Sequence, residues 1–334
     1  MSSVVNYVPI LQDKRIPHLH GIWDLDGGKA SSAQYHFLTV LSVLGRTNEG
    51  STEFSASKSA IKAEALTQAA RAMGLQSKFE EANEYLAQAS QTLKELNEPM
   101  EIQTVRGRIA LEEGRVIRFS GGRPSDAAVK FNAALTVLDG SSDLDYFVAD
   151  ALHMLALVAP TEEEKAEASN KALQIAEESA NPRTRGWAWA LLNNMAWDQV
   201  DAGKAELAVP LFKRAAEGRK NEYDLLVKDG ESPAKEKALK AWRIGRWAYG
   251  HSLRLSGDAH AALEELKDLR ASGHDGLYLR EELAILLSAR DDKKQTRQEA
   301  SEHAKMALQL GLNESNFSGE RVAEMRKIMI RGEN

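Results

Sequence analysis

Five residues, Lys240, Arg243, Trp247, His251 and Arg254, recur at spacings of 3, 4, 4 and 3, which places them on one face of a helix. A face packed into a core would be apolar, so this one is expected to meet solvent or a ligand. Its chemistry would be stacking from the indole and charge-assisted hydrogen bonds from the guanidiniums, suited to an anionic or aromatic group. Trp197 and Tyr278, on the helical segments to either side, would extend it into a wall of three aromatics. Glu281 and Glu282 could neutralise the stripe from across a groove or act as acids. His153 and His251 could each serve as a general base near neutral pH. If the chain is an enzyme, its acid–base set is therefore His251, Glu282 and His153. The competing reading is a solvated basic face with a packed tryptophan and ordinary surface carboxylates.

Asn193 and Asn194 lower helix propensity where they stand, and their amides suit recognition of a peptide backbone or a carboxylate. Glu112 and His153 belong to the same kind of position on earlier helices. His18, His20, Asp24 and Asp26 could form a metal cluster, but no further ligand run supports it, so no metal and no cofactor are expected. The glycine pairs Gly27-Gly28 and Gly121-Gly122 are turn chemistry without phosphate-loop context. There is no nucleophile elbow.

Those residues need elements to hold them. Of 334 residues 43% are apolar, 6% aromatic and 28% charged, a mixture that favours helix over strand. The net charge of −6 is far from the strongly basic footprint of a nucleic-acid protein. Without cysteine, disulfides, thiolate metal sites and a cysteine nucleophile are excluded. The apolar run Val4 to Leu11 is short, is broken by Asn6 and Pro9, and precedes its nearest positive charges, unlike a signal peptide. No stretch approaches the ~20 apolar residues of a membrane span, so a cytoplasmic protein without a membrane partner is expected.

The helices repeat. Leu192, Met195-Ala196, Gly203, Ala208, Phe212 and Ala215 set out two antiparallel helices whose small residues permit close approach and whose large ones fill the seam. The same grammar returns at Leu66, Ala69-Ala70, Ala82, Leu86 and Ala89, and at Leu152, Leu155-Ala156, Ala168 and Ala172. It returns again at Tyr249-Gly250, Gly257, Ala262 and Leu266, with Arg246 where a large apolar residue is usual, and at Leu283-Ala284, Ala300, Ala304 and Ala307. Ala127, Phe131 and Ala134 mark the second helix of a sixth unit, whose first helix is ambiguous because Gly121-Gly122 could absorb a one-residue shift. In four units the small residue precedes the second-helix alanine by twelve: 70 to 82, 156 to 168, 196 to 208 and 250 to 262. From about Lys62 to Leu310 this pattern resembles the tetratricopeptide repeat (TPR).

The resemblance implies an all-α, right-handed superhelical solenoid of about six TPR-like hairpins with terminal capping helices. It also implies a concave groove lined by the first helix of each pair. Groove-facing residues should then flank the packed positions: Gln68 and Arg71; Glu112 and Glu113; His153, Met154 and Leu157; Asn193, Asn194 and Trp197; Trp247, His251 and Arg254; Tyr278, Glu281, Glu282 and Ile285. Peptide-binding members of the family clamp a terminal carboxylate with lysine, asparagine and arginine, and this chain departs from that set by offering His153 and Met154. The expected division is an extended tail over 1–30, a capping helix and loop over 31–61, the array over 62–311 and a capping helix over 312–334. Tyr7, Leu11 and Trp23 of the tail are expected to bury against the first helices. The leading functional expectation is a scaffold holding a peptide or protein segment, or a small organic ligand, with a homo-oligomer as a further use of the groove. The alternative is an enzyme acting on a small anionic or aromatic substrate there. Fold alone does not decide between them.

Overall fold

The structure is a computed structural model and describes residues 28–45, 52–94, 100–138, 140–228, 232–290, 293–312 and 314–333. The tail expected to dock through Tyr7, Leu11 and Trp23, and the candidate metal residues His18, His20, Asp24 and Asp26, lie outside the described residues. Every regular element among the described residues is helical. They fall into two compact units, one ending at Trp187 and the other starting at Ala188.

In the N-terminal unit, α1 (Ala30–Gly45) precedes three hairpins. These are α2 (Thr52–Gly74) with α3 (Phe79–Leu93), α4 (Met100–Phe119) with α5 (Pro124–Leu138), and α6 (Asp145–Ala156) with α7 (Glu162–Glu178). A single turn, α8 (Pro182–Arg185), then leads to α9 (Trp187–Asp201). The first helix of the first hairpin starts at Thr52, ten residues ahead of the point where the repeat pattern becomes recognisable, so the polar loop before it is shorter than the sequence suggests. Local chemistry fixes the later boundaries. Thr161 accepts a hydrogen bond from the Glu164 amide and three glutamates occupy the first turn of α7, and Asn181 caps α8 ahead of Pro182, both satisfying amides that a helix start leaves open.

The ambiguous second hairpin is held by glycines in place of alanines. A Cβ on Gly114 would stand 2.4 Å from the Phe131 ring, and one on Gly107 would stand 2.6 Å from Leu138. Gly114 precedes Ala127 by thirteen, so the Gly121-Gly122 turn, with Gly121 at φ +82°, takes up the one extra residue. Ala82, Leu86 and Ala89 on α3, and Ala127, Phe131 and Ala134 on α5, are at most 1% exposed.

In the C-terminal unit the hairpins are α9 with α10 (Ala205–Val227), α11 (Pro233–Leu255) with α12 (Ala259–Ala271), and α13 (Leu277–Arg290) with α14 (Lys294–Gly311). Helix α15 (Gly319–Glu333) closes the order. Ala196, Ala208 and Phe212 are completely buried, and Trp197 meets the Phe212 ring edge-on at 5.1 Å. The long spacing between the fourth and fifth repeats is a helix extension on both sides of the turn. α10 and α11 each run for 23 residues, and Tyr223 stacks on Trp242 where they lie together, with centroids 5.7 Å apart. Arg246, where an apolar residue was expected, donates to Glu265 (2.5 Å) and Asp268 (2.7 Å) of α12, its stem filling the seam. Met325 and Ile328 of α15 join the core formed by α12, α13 and α14.

That core also holds a titratable group. His303 on α14 is 2% exposed, 3.3 Å from the Arg280 guanidinium. Burial, with Arg280, Arg270 and Lys267 against a smaller opposing effect of Glu299, pushes its imidazole down to about 4. The unfolded chain takes up this proton near pH 6.5, so stability is lost as pH falls through the window from 6.5 to 4. Between pH 7 and pH 5 the loss attributable to His303 is about 2 kcal/mol. Chemical unfolding at the two pH values should show His303→Gln losing less stability than the wild type by about that amount.

Candidate functional site

Within the C-terminal unit, the first helices α9, α11 and α13 bring their aromatic residues together. The Trp197 and Trp247 rings lie 6.2 Å apart, and Trp247 and Tyr278 lie 5.4 Å apart. His251, one turn beyond Trp247, stacks on it at 5.3 Å with an interplanar angle of 21° and meets Trp197 at 5.7 Å. The four rings form one continuous surface. Trp197, Trp247 and His251 are half-buried, while Tyr278 is 40% exposed. The repeat register accounts for this meeting of rings. Trp197 and His251 each follow the small seam residue of their own helix, Ala196 and Gly250.

The charges behind the rings are paired with one another. Glu282 on α13 is 4% exposed; its carboxylate accepts from Arg254 Nε at 2.5 Å and Nη2 at 3.0 Å, and lies 2.8 Å from His251 Nδ1. Burial would raise the Glu282 pKa, but hydrogen bonds from His251 and Arg254 and their charge hold it below the usual carboxylate range, because they stabilise the ionised form. An ionised acceptor fixes the His251 tautomer with its proton on Nδ1. Glu281 is held by a residue that sequence reasoning did not name. Arg321, in the first turn of α15, donates to both Glu281 oxygens, and its guanidinium lies 5.3 Å from the Tyr278 centroid and 4.8 Å from that of Phe317. Asn316 Nδ2 donates to the Tyr278 hydroxyl at 2.5 Å.

This arrangement corrects the expectation of a cationic stripe. Arg254 is committed to Glu282. Arg243 donates to the Ser272 carbonyl at 2.6 Å, satisfying the end of α12. Lys240 is exposed. The outward chemistry of the surface is therefore ring faces and edges. Two donors are left over, since Trp247 Nε1 and Arg243 Nε are buried without a hydrogen-bond partner among the described residues. Asn193 is half-buried and Asn194 exposed on α9.

Glu112 and His153 belong to the N-terminal unit, where the corresponding positions carry charge instead of rings. Glu112, 5% exposed, accepts from Arg71 at 3.5 Å and from Arg115; Arg115 also donates to Asp150, which is 1% exposed. Burial alone would lower the Arg115 pKa, but Asp150 and Glu112 raise it, and Asp150 is correspondingly lowered. Arg108 pairs with Glu64 and lies 4.5 Å from the Phe147 centroid. His153 meets Trp187 edge-on at 5.9 Å. Sequence reasoning named Gln68, Arg71 and Glu112 but missed Arg115, Asp150, Arg108 and Glu64. Arg115 follows Gly114 as Trp197 follows Ala196, so fixing the second hairpin's register would have found it. Among the described residues no three metal-ligating side chains converge, and no helix is long and apolar enough to cross a membrane.

Comparison with known proteins agrees with this architecture. No family model matches the chain, and no curated protein matches it. Among solved structures it is similar to BtubC (BKLC) from P. vanneervenii at 17% identity, over 72% of this chain and 94% of that one, with a TM-score of 0.51. A tetratricopeptide repeat protein from Parabacteroides merdae is similar at 12% identity, over 97% of this chain and all of that one, with a TM-score of 0.40. The fold is an all-α, TPR-like array of helical hairpins.

Proposed function

We propose that this chain is a non-enzymatic scaffold that holds an uncharged stretch of a partner polypeptide against the rings of α9, α11 and α13. The observation that carries this reading is the unbroken series Trp197, Trp247, His251 and Tyr278, with centroid separations of 5.3–6.2 Å. Aromatic surface of this kind supplies large contact area at low entropic cost. With Glu281, Glu282, Arg254 and Arg321 paired internally, a charged ligand gains little, whereas apolar and aromatic side chains gain stacking and burial. A ligand carbonyl could take up the orphaned Trp247 N–H, and that would orient the chain.

The enzyme reading draws on one observation, the His251–Glu282 pair, which would leave His251 Nε2 as a base. Peptides selected on the full-length protein from a random display library separate the two. For a scaffold, His251→Ala should weaken affinity by about two- to tenfold, the value of one stacking contact, and mass spectrometry should recover the peptide unchanged after incubation. Recovery of a cleaved or altered peptide, with the change about a hundredfold slower in His251→Ala, would replace the scaffold with an enzyme.

A further inference from the structure

The seam between the second and third hairpins of the N-terminal unit is incompletely filled. A cavity of about 290 Å³ opens there among α5, α6 and α7. Leu152 and Leu155 line its apolar part, and Ala128 and Ala159 are too short to close the space. Glu164, Glu167 and Lys171 stand at its rim and are exposed, so the cavity is open to solvent. Its volume is at the lower end of the ~300–1,000 Å³ of small-molecule pockets, which suits a single side chain. The polar groups of the rim are not equally committed. Glu167 and Lys171 neutralise each other at 2.6 Å, and Asn132 spends an amide N–H on the Ala128 carbonyl. Lys165, the other lysine of α7, is itself engaged. Glu164, one turn before Glu167, has no ion-pair partner among the described residues.

We propose that this cavity receives a lysine or arginine side chain of a partner segment, with its aliphatic stem on Leu152 and Leu155 and its head at the Glu164 carboxylate. Long cationic side chains bury their stems and keep the charge at the water boundary, the division that this cavity presents. An anionic group would meet Glu164 with like charge, and the lysine at the rim is already neutralised. An apolar side chain would gain nothing from Glu164. The chain itself uses a seam in this way. Arg246 stands four residues before Gly250, as Leu152 stands four before Ala156. Its guanidinium donates to Glu265 and Asp268 of the next helix. With leucine at that position, the third hairpin brings no such cation of its own. This inference does not depend on the aromatic surface of the C-terminal unit.

The test uses the full chain, with n-hexylammonium standing in for a lysine side chain and n-hexanol and n-hexanoate as neutral and anionic controls. Binding is followed by nuclear magnetic resonance at the Leu155 methyl signals, assigned by their loss in Leu155→Ile. Hexylammonium should shift them saturably and bind about threefold tighter than hexanol, the value of one exposed ion pair. Hexanoate should bind more weakly than both. Glu164→Gln keeps the Thr161 cap on the residue-164 amide and should abolish the preference for hexylammonium over hexanol, leaving hexanol affinity unchanged. Ala128→Leu, which fills the cavity, should remove the saturable shift for all three probes; if it does not fold, Glu164→Gln decides alone. No saturable shift in the wild type, hexanol or hexanoate binding as tightly as hexylammonium, or an undiminished preference in Glu164→Gln would overturn the proposal. A saturable shift persisting in folded Ala128→Leu would do the same.

Discussion

Glu282→Ala should destabilise the C-terminal unit by about 3 kcal/mol, because it leaves a largely buried guanidinium without its carboxylate. Arg254 donates to both Glu282 oxygens, and its side chain is only 24% exposed. Glu281 cannot replace the lost partner, since both of its oxygens are taken by Arg321. The cost is that of breaking the pair and differs from the pair's net worth. Removing both charges with Glu282→Leu and Arg254→Met should therefore restore most of the lost stability. Chemical unfolding of the two single variants and the double variant measures this directly. The pair also carries a pH dependence of known sign. Glu282 is held below its ordinary pKa, so its contribution is complete above the normal glutamate range and is lost as pH falls from that range through the depressed folded-state pKa. Glu282→Ala should lack that part of the acid sensitivity.

The fold was legible because packing two helices closely demands small residues at fixed places. The twelve-residue offset from Ala70 to Ala82, or from Ala196 to Ala208, follows from two helices joined by a short turn. The second hairpin hid because its close approach uses Gly107 and Gly114 against Leu138 and Phe131, and a glycine reads as a break before it reads as a contact. The same register explains the site. Positions that follow the seam residue carry Arg71, Arg115, Trp197 and His251, so the facing residues of each unit could be read once the register was fixed.

Partner choice could not be read in the same way. Whether Arg254 would meet a ligand or Glu282 depends on a side chain 28 residues away, and nothing in helical periodicity fixes that distance. Arg321 reaches Glu281 from 40 residues away, because α15 packs beside α13 and α14. Sequence periodicity reports which face a residue occupies. It does not report which opposite charge has already claimed it.

Loss of the two indoles should have the largest effect on binding. Trp247 touches Trp197, His251 and Tyr278, so its removal interrupts the surface at its centre. Residues at such central, well-packed positions carry most of the affinity at an interface. Trp247→Ala should weaken a bound segment by about ten- to a hundredfold, and Trp197→Ala together with Trp247→Ala by about a hundredfold or more. Trp247 packs against two core clusters, so Trp247→Phe, which keeps an aromatic ring in the packed position but removes the indole N–H and part of the ring area, serves as the folded control. The decisive measurement is the affinity of display-selected peptides for the full-length protein and for these variants. The scaffold account predicts peptides rich in apolar or aromatic residues, a graded loss from Trp247→Phe through Trp247→Ala to the double variant, and little dependence on salt. Selected peptides that bind folded Trp247→Ala as tightly as the wild type would contradict it.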